Sequence, residues 1–304
     1  MKLSSLFKKG SVALGAILLL LLTGMPLTYA QDAASLQAHH TALREKLARN
    51  QFQRPLHLES RESSGYLGGS VYAEVDTPFD AAGPALQKLA NWCDILILHQ
   101  NVKQCLTSTT KAGDMLTVNL GRKHEQHVSH SYPVKFHYTV LVARSDYMRV
   151  MLHAEKGPMS TKDYRILLEA IPIDGKRSFM HLTYSYSYGT AAKLAMKGYL
   201  ATIGNDKVGF TVSKRMSNGN VVYVDGMRGV VERNTMRYYL AIDAFLGSRL
   251  VPAAMQTEKR LNDWYTGSER YSRQLHELDR AEYLTMKRKE IHRQRTSQSV
   301  PASL

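Results

Sequence analysis

The spacing of apolar residues changes along this chain from helical to alternating, and the change marks its first two elements. Leucines recur at helical spacing in the polar stretch 31–61, which predicts a short leading helix or an ordered arm. From Gly65 the period becomes two, which predicts a strand with one apolar face. That face consists of Leu67, Gly69, Val71, Ala73 and Val75. Asp76-Thr77-Pro78 ends the strand, because these residues favour turns.

An amphipathic helix is predicted after this turn, beginning at Asp80, whose side chain can cap it. Its apolar stripe consists of Leu86, Leu89, Ala90, Cys93 and Ile97. Residues 95–98 are all apolar. This run indicates that the last turn of the helix is buried or is already turning into a strand.

A long series of β-rich segments follows the helix. The segments are Met115–Leu120, Val134–Val142, Tyr147–His153, Tyr164–Ile173 and Phe179–Tyr188. Turn residues separate them, as in Ala112-Gly113-Asp114 and Asp174-Gly175-Lys176. We therefore expect antiparallel hairpins and not βαβ units.

Helical spacing returns in the last third of the chain. A short helix is predicted over 190–203, stopped by Gly204-Asn205-Asp206, and a hairpin of 208–212 with 220–224 follows it. The strongest helical stripe comes next and consists of Val231, Thr235, Tyr238, Ile242 and Phe245. Pro252 separates this helix from another that reaches about Tyr265.

The sequence from Gly267 onward is mostly charged. Its few apolar residues predict that this part is dispensable for the fold, and the residues from Thr296 are polar enough to be disordered. It also contains basic residues that could reach an anionic surface. These are Arg280, Lys287, Arg288, Lys289, Arg293 and Arg295.

One strand, a helix, many antiparallel strands and a long terminal helix make an α+β chain. The stretch 71–92, VYAEVDTPFDAAGPALQKLANW, resembles the opening of the START-like or helix-grip superfamily, which includes Bet v 1-like proteins: a strand, a proline, a helix and a tryptophan near the helix end. The resemblance covers roughly residues 65–247. It implies a curved antiparallel sheet wrapped around the long C-terminal helix, with a cavity between them for a lipid or other hydrophobic ligand.

Two features depart from that superfamily's pattern. The helix at 190–203 and the hairpin after it interrupt the passage from the last strand to the last helix, and 252–304 lies beyond the common fold. The expected organisation is a signal peptide at 1–30, an arm or helix at 31–64, a START-like ligand-binding domain at 65–250, and extra C-terminal helices with a basic tail at 251–304.

Six residues are candidates for lining the implied cavity. Tyr184, Tyr186 and Tyr188 share one face of a strand, and Tyr238, Ile242 and Phe245 belong to the helix stripe. A row of tyrosines offers broad apolar surface with a hydroxyl at each edge, which suits a lipid or a ring-bearing ligand. A plain core or an exposed sheet face would explain the tyrosine row equally well, and core packing would explain the helix stripe.

The N-terminus has the pattern of a secretory signal peptide. Three lysines precede an apolar run from Val12 to Leu22, and Thr28-Tyr29-Ala30 predicts cleavage after Ala30. An uncleaved anchor is the alternative, but the run has about half of the ~20 residues that a spanning helix needs. We therefore expect a secreted or periplasmic protein of a bacterial envelope.

Cys93 and Cys105 are the only cysteines. Export would place them where disulfides persist, so a Cys93–Cys105 bond is predicted, with two buried free thiols as the alternative. Two cysteines exclude a disulfide-rich scaffold and any metal site that needs four thiolates.

The formal net charge is +14, from 40 Lys and Arg against 26 Asp and Glu. Nucleic acid is a poor partner for an exported protein, and the aromatic residues are not interleaved with the basic ones as base stacking would require. An anionic membrane surface is the better candidate partner, reached through the tail or through basic residues around the inserted helix and hairpin. Those residues are Lys193, Lys197, Lys207, Lys214 and Arg215. A solvated charged helix is the alternative for the tail, which also carries acidic residues.

Catalytic and metal motifs are scarce. The sequence has no Gly-x-Ser-x-Gly elbow, no phosphate-binding glycine loop and no His-Glu-x-x-His. His124, His127 and His130 are the nearest approach to a metal cluster, but their polar neighbours favour solvated histidines. Asp163 and Glu169 are expected to form surface ion pairs. No metal or cofactor is predicted.

The sequence thus favours non-catalytic binding of a lipid or other hydrophobic molecule. An enzyme on the same fold, a hydrolase or cyclase, is the first alternative. An envelope interaction module without a ligand is the second.

Overall fold

Eight strands form one antiparallel sheet in the part of the chain that the computed structural model describes, residues 32–201 and 206–299. They are β1 (Leu56–Ser63), β2 (Tyr66–Val75), β3 (Val102–Thr110), β4 (Gly113–Leu120), β5 (Tyr132–Ala143), β6 (Met148–Lys156), β7 (Thr161–Pro172) and β8 (Ser178–Tyr188). Their order across the sheet is β1-β2-β8-β7-β6-β5-β4-β3. The first hairpin therefore lies beside the last long strand.

Helices surround this sheet. They are α1 (Ala33–Ala48), α2 (Phe79–Leu86), α3 (Leu89–Leu96), α4 (Thr190–Ala201), α5 (Gly226–Ser248), α6 (Ala253–Glu269), α7 (Ser272–Leu275) and α8 (Arg280–Ser299). A small hairpin of β9 (Val212–Arg215) and β10 (Val221–Tyr223) lies between α4 and α5 in the chain. No helix among the described residues has both the length and the apolar run needed to cross a bilayer.

The long helix α5 packs against one face of the sheet, on β1, β2 and β8. It approaches β2 closely at Gly69, where a Cβ atom would collide with the hydroxyl of Thr235. Register shifts at Val140/Val142 and at Lys162/Arg165 interrupt the ladders of β5–β6 and β7–β8. Such bulges bend and twist a sheet locally. The α+β, helix-grip architecture implied by the START-like resemblance is confirmed.

The opposite face of the sheet is covered by α1, the predicted leading helix. Leu36 and Leu47 are buried there against Tyr72, Tyr147 and Phe179. Beneath α1, the carboxylate of Glu169 is 1% exposed and accepts hydrogen bonds from Tyr147 Oη at 2.7 Å and from the His181 ring at 2.8 Å. The expectation of a surface ion pair for Glu169 is therefore wrong, whereas Asp163 does pair with Arg165 at the surface.

Several predicted elements differ in detail. The helix expected from Asp80 to Ile97 is two helices, because the side chains of Asn91 and Trp92 in α3 hydrogen-bond the carbonyls of Ala85 and Leu86 and so cap the end of α2. Asp80 lies in the first turn of α2 and is not its cap. β1 and β3 were not predicted, and the small hairpin begins at Val212.

Some of the sequence-based predictions fall outside the described residues. The signal peptide at 1–30 and the Gly204-Asn205 stop belong to this group.

The predicted disulfide is confirmed: Cys93 of α3 and Cys105 of β3 are bonded, and both are buried. It closes a loop with a sequence separation of 12 residues between two neighbouring elements.

The C-terminal helices contribute a substantial core. Trp264 of α6 stacks on Tyr283 of α8 with ring centroids 4.9 Å apart, and both side chains are fully buried, as is Leu275. Helix α8 lies along β3 and continues to Ser299. The expectation that the apolar residues after Gly267 are too few to form a core is therefore wrong, and residues 296–299 belong to α8 where disorder was expected. Whether the fold can dispense with this part stays a prediction.

The basic residues of this tail are engaged within the protein. Lys287 is 0% exposed. Arg288 pairs with Glu258 at 2.8 Å, and Lys289 pairs with Glu125 at 3.0 Å. Lys287 is therefore not available to an anionic surface, whereas Arg288 and Lys289 lie in exposed ion pairs. A membrane role for the tail stays a prediction.

Replacing Lys287 with Met should destabilise the protein by about 3 kcal/mol, because the buried carbonyls of His99 and Val102 and one oxygen of Glu290 lose their hydrogen-bond donor. Urea denaturation monitored by tryptophan fluorescence measures this change. Arg288→Met is the matched control on the same helix, since its ion pair is exposed. Equal unfolding midpoints for the two variants would show that the contacts of Lys287 are not structural.

Candidate functional site

A cleft of about 730 Å³ opens between the sheet, α5 and the connection from β4 to β5. It is lined by Tyr132, Pro158, Tyr164, Tyr184, Met196 and Tyr238 on its more apolar side. The rest of its lining is His99, Asn101, Leu120, Gly121, Arg122, His124, Glu125, Gln126, His130 and Asn234. The cleft thus joins an aromatic wall to a polar end.

The aromatic wall is built from neighbouring strands and the long helix. Tyr164 of β7 and Tyr184 of β8 have ring centroids 6.3 Å apart, and Tyr184 lies 5.2 Å from Tyr238 of α5. Burial raises the pKa of Tyr184 and Tyr238 well above the ordinary value and that of Tyr164 to about 12. All three hydroxyls are therefore protonated at neutral pH.

The polar end is formed by two backbone segments, around Asn101 and around Gly121, that are joined by reciprocal hydrogen bonds. Asn101 accepts a backbone hydrogen bond from Gly121 at 2.7 Å, and its side-chain amide donates back to the Gly121 carbonyl at 2.7 Å. The side chain of Gln126 packs directly over Gly121, where a Cβ atom would overlap its amide group. A side chain at position 121 would force the Gln126 amide to move away from this position.

His99 is the most deeply buried titratable group of the polar end, at 3% exposed. Its Nδ1 accepts a hydrogen bond from the backbone N–H of Asn101 at 3.2 Å, and its ring lies 5.0 Å from that of Tyr238. Burial lowers the pKa of His99 well below 6.5, and the nearby charges of Arg237, Lys287 and Lys123 lower it further, against a contribution from Asn234 that raises it. The imidazole is therefore neutral at neutral pH.

The six predicted ligand-binding residues are only partly brought together. Tyr184 and Tyr238 line the cleft. Tyr186 stacks on Tyr164 at 5.0 Å without lining it, and Tyr188 is buried near the end of β8. Ile242 and Phe245 are fully buried in the core on α5, as their helical stripe predicts for packing residues. A binding role for these six residues stays a prediction.

The sequence interpretation missed His99, Asn101, Gln126 and Tyr164. A local signal existed only for His99, which directly follows the apolar run 95–98. Asn101, Gln126 and Tyr164 lie near one another only because three parts of the chain meet in the fold. These parts are the 99–103 turn, which leads from α3 into β3, the β4–β5 connection and β7.

The three histidines of the β4–β5 connection do not form a metal centre. His124 is largely exposed and pairs with Glu282 at 3.2 Å. His127 Nδ1 hydrogen-bonds Ser129, and its ring lies 6.2 Å from that of His130. Among the described residues, no group of three or more His, Cys, Asp or Glu side chains is arranged to hold a metal ion.

Comparison with known proteins gives matches among solved structures alone. No protein-family model and no curated protein matches the chain. A norcoclaurine synthase from Thalictrum flavum in complex with a transition-state analogue is 15% identical, with a TM-score of 0.32, covering 48% of this chain and 93% of that one. A START superfamily protein from Mycobacterium smegmatis is 9% identical, with a TM-score of 0.30, covering 49% and 92%.

An aromatase/cyclase from Streptomyces is 11% identical, with a TM-score of 0.32, and the match covers 73% of this chain and 100% of that one. These similarities are weak in both identity and superposition. The fold is defined by the strand order and helix placement given above.

Lowering the pH should destabilise the protein through His99. Its pKa is depressed in the folded state and returns toward 6.5 on unfolding, so below about pH 6.5 the unfolded state binds more protons. The free energy of unfolding should then fall by up to about 1.4 kcal/mol per pH unit. His99→Gln should remove this part of the slope in urea denaturation between about pH 7 and pH 5.

His124→Gln is the control for this measurement, because the side chain of His124 is 68% exposed. It should keep the pH slope of the unaltered protein. Identical slopes for the His99→Gln variant and the unaltered protein would contradict the assignment of His99 as a buried neutral group.

Proposed function

We propose that the protein binds an amphipathic molecule with a substantial apolar or ring-bearing part, a lipid or another hydrophobic compound, in the cleft beside α5. The observation that carries this proposal is the cleft itself, with Tyr164, Tyr184 and Tyr238 on one side and polar groups that include the buried His99 on the other. Its volume of about 730 Å³ falls within the range of small-molecule sites.

The lining also supports binding over covalent catalysis. Among the described residues that line the cleft there is no serine, threonine or cysteine. Tyr164, Tyr184 and Tyr238 are protonated, and the Nδ1 of His99 accepts a backbone N–H. These groups suit a site that holds a ligand through apolar contact and hydrogen bonds.

We also propose that the protein acts outside the cytoplasm. The basic and apolar pattern of residues 1–30 supports export, and the bonded pair Cys93–Cys105 is of the kind that persists in oxidising compartments. Anionic lipid remains a candidate partner through the inserted helix and hairpin. Lys193, Lys214 and Arg215 are exposed there.

Met196→Trp should reduce ligand binding at least about tenfold, because Met196 of α4 lines the cleft and a larger ring there would fill it. The measurement is a fluorescence titration with N-phenyl-naphthylamine, a neutral aromatic probe whose emission rises in apolar surroundings. Organic extraction of the purified protein followed by mass spectrometry tests for a natural ligand.

The control is Leu194→Trp, which adds the same ring to the same helix at a residue that is 71% exposed. We expect unchanged probe affinity in this variant. If the unaltered protein binds no probe and yields no extracted ligand, or if both variants bind as it does, the cleft is not the binding site.

A further inference from the structure

Two buried side-chain nitrogens that lack a hydrogen-bond partner among the described residues belong to residues lining this one cleft. They are Nε2 of His99 and Nε2 of Gln126. Buried polar atoms in folded proteins are nearly always paired with protein, water or a ligand. A pair of unpartnered atoms at the polar end of a ligand-sized cleft therefore calls for an explanation.

The hydrogen-bonding character of His99 is determined by its neighbours. Its Nδ1 accepts the backbone N–H of Asn101 at 3.2 Å, so that nitrogen carries no proton. A neutral imidazole must then carry its proton on Nε2. The burial of the ring and the positive charges of Arg237, Lys287 and Lys123 around it keep the pKa low and the ring neutral. Nε2 of His99 is therefore a donor. The side chain of Asn234, which also lines the cleft, lies near the ring without forming a well-aligned hydrogen bond to this nitrogen.

The orientation of the Gln126 amide is determined in the same way. Its Oε1 accepts the backbone N–H of Arg122 at 2.8 Å. The opposite end of the amide is consequently the NH₂ group, which can only donate. Contact of the Gln126 amide with Gly121 limits its freedom to rotate. Both unpartnered atoms are thus N–H donors of uncharged groups.

We propose that the cleft selects ligands that carry a carbonyl oxygen on their apolar or ring-bearing part, and that His99 and Gln126 donate hydrogen bonds to it. This inference rests on the proposed ligand-binding function and specifies the chemistry of the ligand. A carbonyl oxygen accepts two hydrogen bonds through its two lone pairs. Its partial negative charge also suits the positive surroundings of His99.

The test compares two probes of the same shape, the methyl ketone of naphthalene and its isopropenyl analogue, in which a methylene group replaces the carbonyl oxygen. The affinity of each is measured by displacement of N-phenyl-naphthylamine. The quantity of interest is the ratio of the two affinities, because comparing this ratio between variants removes the difference in hydrophobicity between the probes. The unaltered protein should favour the ketone.

Gln126→Glu tests the donor most directly. The carboxylate can still accept the N–H of Arg122, but an oxygen acceptor replaces the Nε2 donor. We expect the ratio of ketone to hydrocarbon affinity to fall at least about tenfold. His99→Phe, which keeps a ring and removes the donor, should lower the ratio in the same direction. Circular dichroism and thermal melting establish that each variant is folded.

Gln256→Glu is the matched control, because Gln256 lies on α6, does not line the cleft and makes hydrogen bonds at both ends of its amide. Its ratio should equal that of the unaltered protein. If both probes bind but neither cleft variant changes the ratio, the inference is wrong and the proposed function stands. If neither probe binds the unaltered protein, the proposed function itself fails.

Discussion

The fold depends on a buried ionic cluster in which two lysines share one glutamate. Lys103 of β3 and Lys287 of α8 are both 0% exposed, and each donates to a different oxygen of Glu290, at 3.0 and 2.7 Å. One carboxylate cannot compensate two buried ammonium groups. The remaining donor capacity goes to backbone carbonyls: Lys287 bonds those of His99 and Val102, and Lys103 bonds those of Gln100 and His124.

These carbonyls belong to the 99–103 turn and to the β4–β5 connection, the two segments that form the polar end of the cleft. The cluster therefore does more than fasten α8 to the sheet. It also fixes the backbone that carries His99 and Asn101, two residues that line the cleft. Burial and the neighbouring charge of Lys103 lower the pKa of Lys287 to about 8. The charged form of Lys287 is therefore disfavoured in this cluster relative to water.

Much of the fold could be predicted from local pattern, and the errors have a common cause. The alternation of β2 predicts its bounds closely, because its apolar face is buried throughout whereas the face toward α1 is buried only at Gly68 and Tyr72. β1 was missed since Glu59, Arg61 and Glu62 make it look like a polar arm. The composition of the tail indicates a solvated helix, since composition cannot show that Lys287 and Lys103 share Glu290. Such sharing depends on tertiary contacts across more than half of the chain.

The residues of the candidate site likewise fall into those that local pattern predicts and those that only tertiary contacts bring together. Tyr184 and Tyr238 can be proposed from the strand and helix faces on which they lie. The position of Gln126 in the cleft cannot, because it depends on its contacts with Arg122 and Gly121 and on the 99–103 turn. That turn is held twice, by the ionic cluster and by the Cys93–Cys105 bond on either side of it. In a mobile turn, the Nε2–H group of His99 would rotate to reach water or a neighbouring carbonyl. A turn held at both ends keeps this donor oriented, so less conformational entropy would be lost on binding of the proposed acceptor.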